Sequence, residues 1–146
     1  MAIRTIACCT DFSDNSHRAV TEAIDMAARY QAKLYIVHVL PPMVNPVLMD
    51  SDWVPPDLPH ESALIKIEEE MQQLYGAKVP HEVDYELVVL DGHVSSEILE
   101  FIKTHDIDLA VTGSYGLSGM GLVLFGSVAK RVVQKAACSV MIVRDS

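Results

Sequence analysis

Short, nearly continuous apolar runs alternate along this chain with stretches whose apolar residues recur every three or four positions. Ile3-Arg4-Thr5-Ile6-Ala7-Cys8-Cys9 reads as a first strand and stops at Thr10-Asp11-Phe12-Ser13, where helix-capping residues cluster. Val20, Ala23, Ile24 and Ala27 then mark one face of an amphipathic helix over 15–31. Leu34-Tyr35-Ile36-Val37-His38-Val39-Leu40 is uncharged and rich in β-branched residues, as expected of a strand covered on both faces. Leu64, Ile67, Met71 and Leu74 face one way on a second helix, which Gly76 ends and Pro80 follows. Val83 to Leu90 predicts a third strand with a turn at Asp91-Gly92, and Val94, Ile98, Leu99 and Ile102 predict a third helix. Ile107 to Thr112 is a fourth strand. Val128, Val132, Val133 and Ala136 line a fourth helix, and Val140-Met141-Ile142-Val143 is a fifth strand.

Strands alternating with helices predict an α/β fold, with one open parallel five-stranded sheet covered by helices on both faces. Residues 1–146 are expected to form a single domain. In such sheets ligands sit beyond the carboxyl ends of the strands, where the winding direction reverses. That rule selects Thr10-Asp11, Val39-Leu40 and Thr112-Gly113 as walls of a candidate site.

Composition removes several function classes. Half of the 146 residues are apolar and 21% are charged, which is not the signature of disorder. The formal net charge is −9, so a primary grip on nucleic acid or on an anionic membrane is not expected. Three cysteines form no disulfide framework. Cys8 and Cys9, as strand neighbours, would point to opposite faces rather than chelate one metal. They read as small hydrophobes in a reducing, cytoplasmic compartment. His38 reads as a core histidine, and His17, His60, His81, His93 and His105 have no i,i+4 His or Cys partner, so no protein metal site is expected. Leu109 to Ala129 carries no charge over 21 residues, but its five glycines and its hydroxyl residues give it the composition of a loop, not of a membrane helix. Six of the seven prolines fall between 41 and 59, around Trp53, which either caps a ligand or packs on the domain.

The segment with the most chemical content is Gly113-Ser114-Tyr115-Gly116, nine residues, then Gly126-Ser127-Val128-Ala129. It leaves a strand and begins a helix, whose unpaired N–H groups offer a positive dipole end to an anion. Such a site holds phosphate without a lysine, which suits a chain of net charge −9. Gly121 to Ser127 lacks the lysine of a Walker A loop. Gly119-Met120-Gly121 lacks the third dinucleotide-binding glycine, and Gly116-Leu117-Ser118-Gly119 misses the nucleophile elbow by one position.

With its G-x2-G-x9-G-[S/T] spacing at Gly113, Gly116, Gly126 and Ser127, its Thr10-Asp11-Phe12-Ser13 strand end and its His38-Val39 pair, the sequence resembles the universal stress protein family over essentially its whole length. The resemblance implies a Rossmann-like sheet of the adenine nucleotide alpha hydrolase type, with strand order 3-2-1-4-5. It implies a site in which Thr10 and Asp11 lie by the adenine or ribose and the Val39 backbone meets the adenine edge. Thr112 and Gly113 would flank the ribose and first phosphate, while Gly116, Gly126, Ser127, Val128 and Ala129 would cradle the phosphates. It also implies a homodimer through the last strand, Val140, Met141, Ile142 and Val143. The family often has Pro at the position of Thr10, a basic residue at that of Tyr115, and a hydroxyl residue where Ala129 stands. ATP, ADP and AMP, with or without Mg, all stay open as ligands.

Three functions follow from these readings. The first is a cytoplasmic, dimeric, adenine-nucleotide-binding sensor in stress response. The second is a very slow Mg-dependent ATPase, disfavoured because no Walker lysine or arginine finger stands in the loop. The third is a nucleotide-free interaction protein whose dimer surface is its function. Asp11 also has a bland alternative, as a partner in the capping of the first helix.

Overall fold

The computed structural model describes residues 2–40, 60–114 and 126–144. The elements are β1 (Thr5–Cys9), α1 (Asp14–Tyr30), β2 (Lys33–Leu40), α2 (His60–Leu74), a 3-10 turn (Gly76–Lys78), β3 (Tyr85–Asp91), α3 (Val94–Thr104), β4 (Leu109–Gly113), α4 (Ser127–Lys135) and β5 (Ser139–Val143). The proline-dense stretch with Trp53, and Tyr115 and Gly116, lie outside the described residues.

The five strands are all parallel, in the order β3-β2-β1-β4-β5, as the resemblance implied. Chain direction across the sheet reverses between β1 and β4. Cys8, fully buried, pairs with Ile36 on one side and Val111 on the other, so β1 is the centre of the sheet.

Strand alternation divides the core in two. Ile6, Cys8, Leu34, Ile36, Leu109 and Val111 point to one face, where they meet Val20, Ala23 and Ala27 of α1 and Met71 of α2. Ala7, Val37, Val39 and Ala110 point to the other, against Ile98, Phe101 and Ile102 of α3 and Val132 of α4. Each fully buried Ile, Leu or Val contributes about 1.5–3 kcal/mol. Cys9 belongs to the second layer, so the adjacent cysteines do face opposite sides.

Local chemistry sets the boundaries. Ser13 is the N-cap of α1, its Oγ accepting from the Ser16 N–H at 3.3 Å. Gln31, at φ 54°, ends that helix in the left-handed region. Two strands begin later than the apolar pattern suggests. Val83 is buried, but its N–H donates to the Pro80 carbonyl in a turn, and β3 starts at Tyr85. Ile107 is buried too, but β4 begins at Leu109, after Asp108 has bonded the start of β1. Val133, placed by spacing on the covered face of its helix, is 47% exposed.

Candidate functional site

β1 ends in a turn held from several directions. The Thr10 N–H continues the ladder to the Val37 carbonyl at 2.9 Å, and then the chain leaves the sheet. Phe12 adopts φ 67°, a costly conformation for a bulky residue. Its N–H donates to Thr10 Oγ1 at 3.1 Å, and its ring lies 4.6 Å from that of His38 and near-parallel to Tyr75 at 6.2 Å. Thr10 Oγ1 is 2.5 Å from the Tyr75 hydroxyl, which is 2.8 Å from His17 Nδ1. Only one proton order satisfies every group in this buried chain: Phe12 N–H to Thr10, Thr10 to Tyr75, Tyr75 to His17. Burial pushes the Tyr75 phenol up to about 12, which keeps it a donor.

Asp11 sits at the tip of this turn. Its Oδ1 accepts from the Ser13 N–H at 3.0 Å and from Ser16 Oγ at 2.6 Å, while its own N–H donates to Ser16 Oγ at 3.1 Å. The capping role is therefore real, and it fixes the carboxylate at the strand end.

The peptide of Val39 faces the space that β1 vacates. Lys33 and Val37 bond to Arg4 and Thr10 on the β1 side, whereas Leu34 and Leu40 bond to Asp84 and Gly92 on the β3 side. Odd residues of β2 therefore turn their main chain toward β1. The next ladder acceptor for Val39 is the Thr10 carbonyl, but His38 Nδ1 donates to that oxygen at 2.8 Å. Among the described residues, the Val39 N–H and carbonyl have no main-chain partner, though Val39 is buried.

β4 completes the far wall. Gly113 is packed on α1, where a Cβ would lie 3.0 Å from the Asn15 carbonyl. Its small size thus serves the contact of β4 with α1. Among the described residues the Thr112 hydroxyl makes one contact, at 3.4 Å to the Gly113 carbonyl. Ser114 donates its N–H to the Val143 carbonyl at 3.1 Å and accepts from the Gly126 N–H at 2.5 Å. That last bond sets the N-cap of α4 beside the end of β4. Among the described residues no side chain caps α4, which leaves the amides of Ser127, Val128 and Ala129 without a side-chain acceptor. The Ala129 side chain is turned into the core, leaving that residue only its backbone for a ligand.

The sequence matches the model of the universal stress protein family over residues 2–144. The chain belongs to the universal stress protein family. It is 33% identical over 142 residues to a universal stress protein of Methanocaldococcus jannaschii, covering 92% of this chain and 78% of the relative. Among solved structures it is similar to universal stress protein UspA from Lactobacillus plantarum, with 26% identity, a TM-score of 0.73 and 99% of each chain covered. It is also similar to a universal stress protein in complex with cAMP, at 28% identity and a TM-score of 0.71, over the whole of both chains.

In this universal stress protein the carboxyl ends of β1, β2 and β4 therefore gather Thr10, Asp11, Val39, Thr112, Gly113 and the start of α4, while Gly116 lies outside the described residues. Tyr75, His17 and Ser114 were not marked by any motif. A hydroxyl at the apolar end of the Met71 helix face was the available signal, since a buried tyrosine needs a polar partner. Among the described residues no three His, Cys, Asp or Glu side chains gather as a metal site requires, and no helix is long and apolar enough to cross a membrane. Burial raises the Cys8 thiol well above its ordinary range and the Cys9 thiol to about 12, so both behave as hydrophobes rather than nucleophiles.

Proposed function

We propose that this universal stress protein binds an adenine nucleotide across the carboxyl ends of β1, β2 and β4 and works as a dimeric, cytoplasmic sensor in stress response. The observation that carries the reading is the Val39 peptide, a buried donor and acceptor pair with no main-chain partner among the described residues. Buried backbone groups are normally paired. The edge of adenine supplies the complement, an exocyclic amine to donate and a ring nitrogen to accept.

The rest of the pocket suits the remainder of the ligand. Asp11, fixed by Ser13 and Ser16, stands at the ribose end. Thr112 and Gly113 flank the ribose and first phosphate, and Gly126, Ser127, Val128 and Ala129 meet the phosphates chiefly through N–H groups. The complex of a similar universal stress protein with cAMP supports an adenylate as the ligand class. ATP, ADP and AMP are all candidates, and Mg would be held through phosphate oxygens and Ser127. The two core layers share one sheet, which supports a single domain over 1–146. The homodimer would form along β5, an edge strand whose residues are all half-buried.

A ligand that binds only the folded state raises stability by about 2.7 kcal/mol at a hundredfold excess over its Kd. Purified chain should melt at higher temperature with AMP, ADP or ATP, each with and without Mg. No shift with any of them at millimolar concentration removes the proposal. Nucleotide released on heating the purified protein would identify the ligand.

A further inference from the structure

We propose that the Ser114 hydroxyl donates a hydrogen bond to a phosphate oxygen of the bound nucleotide, an assignment that rests on the adenine-nucleotide reading above. Ser114 is 2% exposed, and its Oγ is the one buried side-chain polar atom without a hydrogen-bond partner among the described residues. Protein interiors leave few such groups, and each calls for a partner. The main chain of the residue is by contrast fully used, its N–H by Val143 and its carbonyl by Gly126. A rigid backbone thus presents a hydroxyl with nothing to bond.

Direction follows from the strand. Val111 belongs to the α1 layer and a Cβ at 113 would strike α1, whereas Ala110 belongs to the layer of α3 and α4. The same alternation, carried one residue past β4, turns Ser114 to the face where α4 begins. The Gly126 N–H to Ser114 carbonyl bond of 2.5 Å keeps the two residues adjacent. The shared bond therefore sets Ser114 beside the first turn of α4. Two independent features meet there: the amides of Ser127, Val128 and Ala129, which no side chain caps, and an orphan hydroxyl. Among the described residues all are neutral donors that no side chain accepts from, and a phosphate oxygen supplies acceptors to several donors at once. Neighbouring Thr112 and Gly113 were read as flanking the first phosphate, which puts Ser114 next in line.

The experiment is calorimetric titration of AMP and of adenosine into the full chain and its S114A variant, with thermal melts of both proteins free of ligand. S114A should bind AMP about tenfold or more weakly, yet keep its adenosine affinity within about twofold, because hydrogen bonds to charged groups are the strong ones. Its ligand-free melting temperature should be unchanged or higher, since no internal partner is lost. S114C, similar in shape and a poor donor, should behave like S114A. Equal loss for adenosine and AMP overturns the assignment, as does unchanged AMP affinity with a lower melting temperature, which marks a hydroxyl bonded within the protein. Wild-type protein that binds neither ligand refutes the nucleotide reading itself, and the assignment with it.

Discussion

Gly113 and Asn15 approach so closely that a Cβ at 113 would crowd the α1 backbone, lying 3.0 Å from both the carbonyl carbon and oxygen of Asn15. The atoms in its way belong to the backbone of α1, which is anchored on Ser13 and cannot swing aside as a flexible side chain would. The contact ties the end of β4 to the first turn of α1, the two elements that frame the candidate site. A glycine read as a phosphate-loop residue thus has a packing duty first.

G113A should therefore lower unfolding stability by about 1–3 kcal/mol, the usual cost of inserting an atom group into a filled interior. Urea denaturation of the two proteins reads it directly. Equal stability would mean that β4 and α1 separate at no cost, and that the close packing constrains nothing.

Asp108 governs the opposite end of the sheet. Its Oδ2 accepts from the N–H groups of Arg4 at 2.8 Å and Thr5 at 3.1 Å and from Thr5 Oγ1 at 3.2 Å. The backbone bond from Arg4 leads in holding its carboxyl below the ordinary Asp range. A depressed folded-state value means stability that is present above the unfolded value, about 3.9, and lost as pH falls through the folded one. D108N should accordingly be less stable than wild type at pH 7, by at most about 1 kcal/mol for so open a clamp. The difference should shrink below about pH 4. A gap that persists undiminished to pH 2 would show that the charge of Asp108 is not what the clamp uses.

The sheet was legible because its central strands are covered on both faces and so read as unbroken apolar runs, Leu34 to Leu40 above all. The walls of the candidate site were chosen for a topological reason: in open sheets of alternating strands and helices, ligands sit at the carboxyl ends near the reversal. What stayed hidden depends on distance along the chain. Tyr75 meets Thr10 across 65 positions and His17 across 58, and neither contact leaves a local spacing. The late starts of β3 and β4 had the same cause, since the Val83 turn and the Asp108 clamp use residues that look strand-like in isolation. Ser114 was overlooked among glycines because spacing rules weigh the residues that bend the backbone, not the hydroxyl between them.

The hydrogen-bond chain at the end of β1 gives the last expectation. Thr10 Oγ1 accepts from Phe12 and donates to Tyr75, and so supports the left-handed Phe12 that presents Asp11. T10V keeps the β-branched shape but leaves the Phe12 N–H and the Tyr75 hydroxyl short of a partner, and should cost about 1–3 kcal/mol. T10S retains the hydroxyl and should recover most of that loss. Y75F removes the link to His17 and should cost about 1 kcal/mol. The same chain carries a pH signature. Tyr75 is raised to about 12, so its neutral phenol favours the folded state below the unfolded value of about 10. That contribution fades as pH rises from there toward 12, and it is absent in Y75F. Denaturation curves for the four proteins between pH 7 and about pH 11 separate the two effects. T10V as stable as wild type would mean that Thr10 does not brace the turn that presents Asp11.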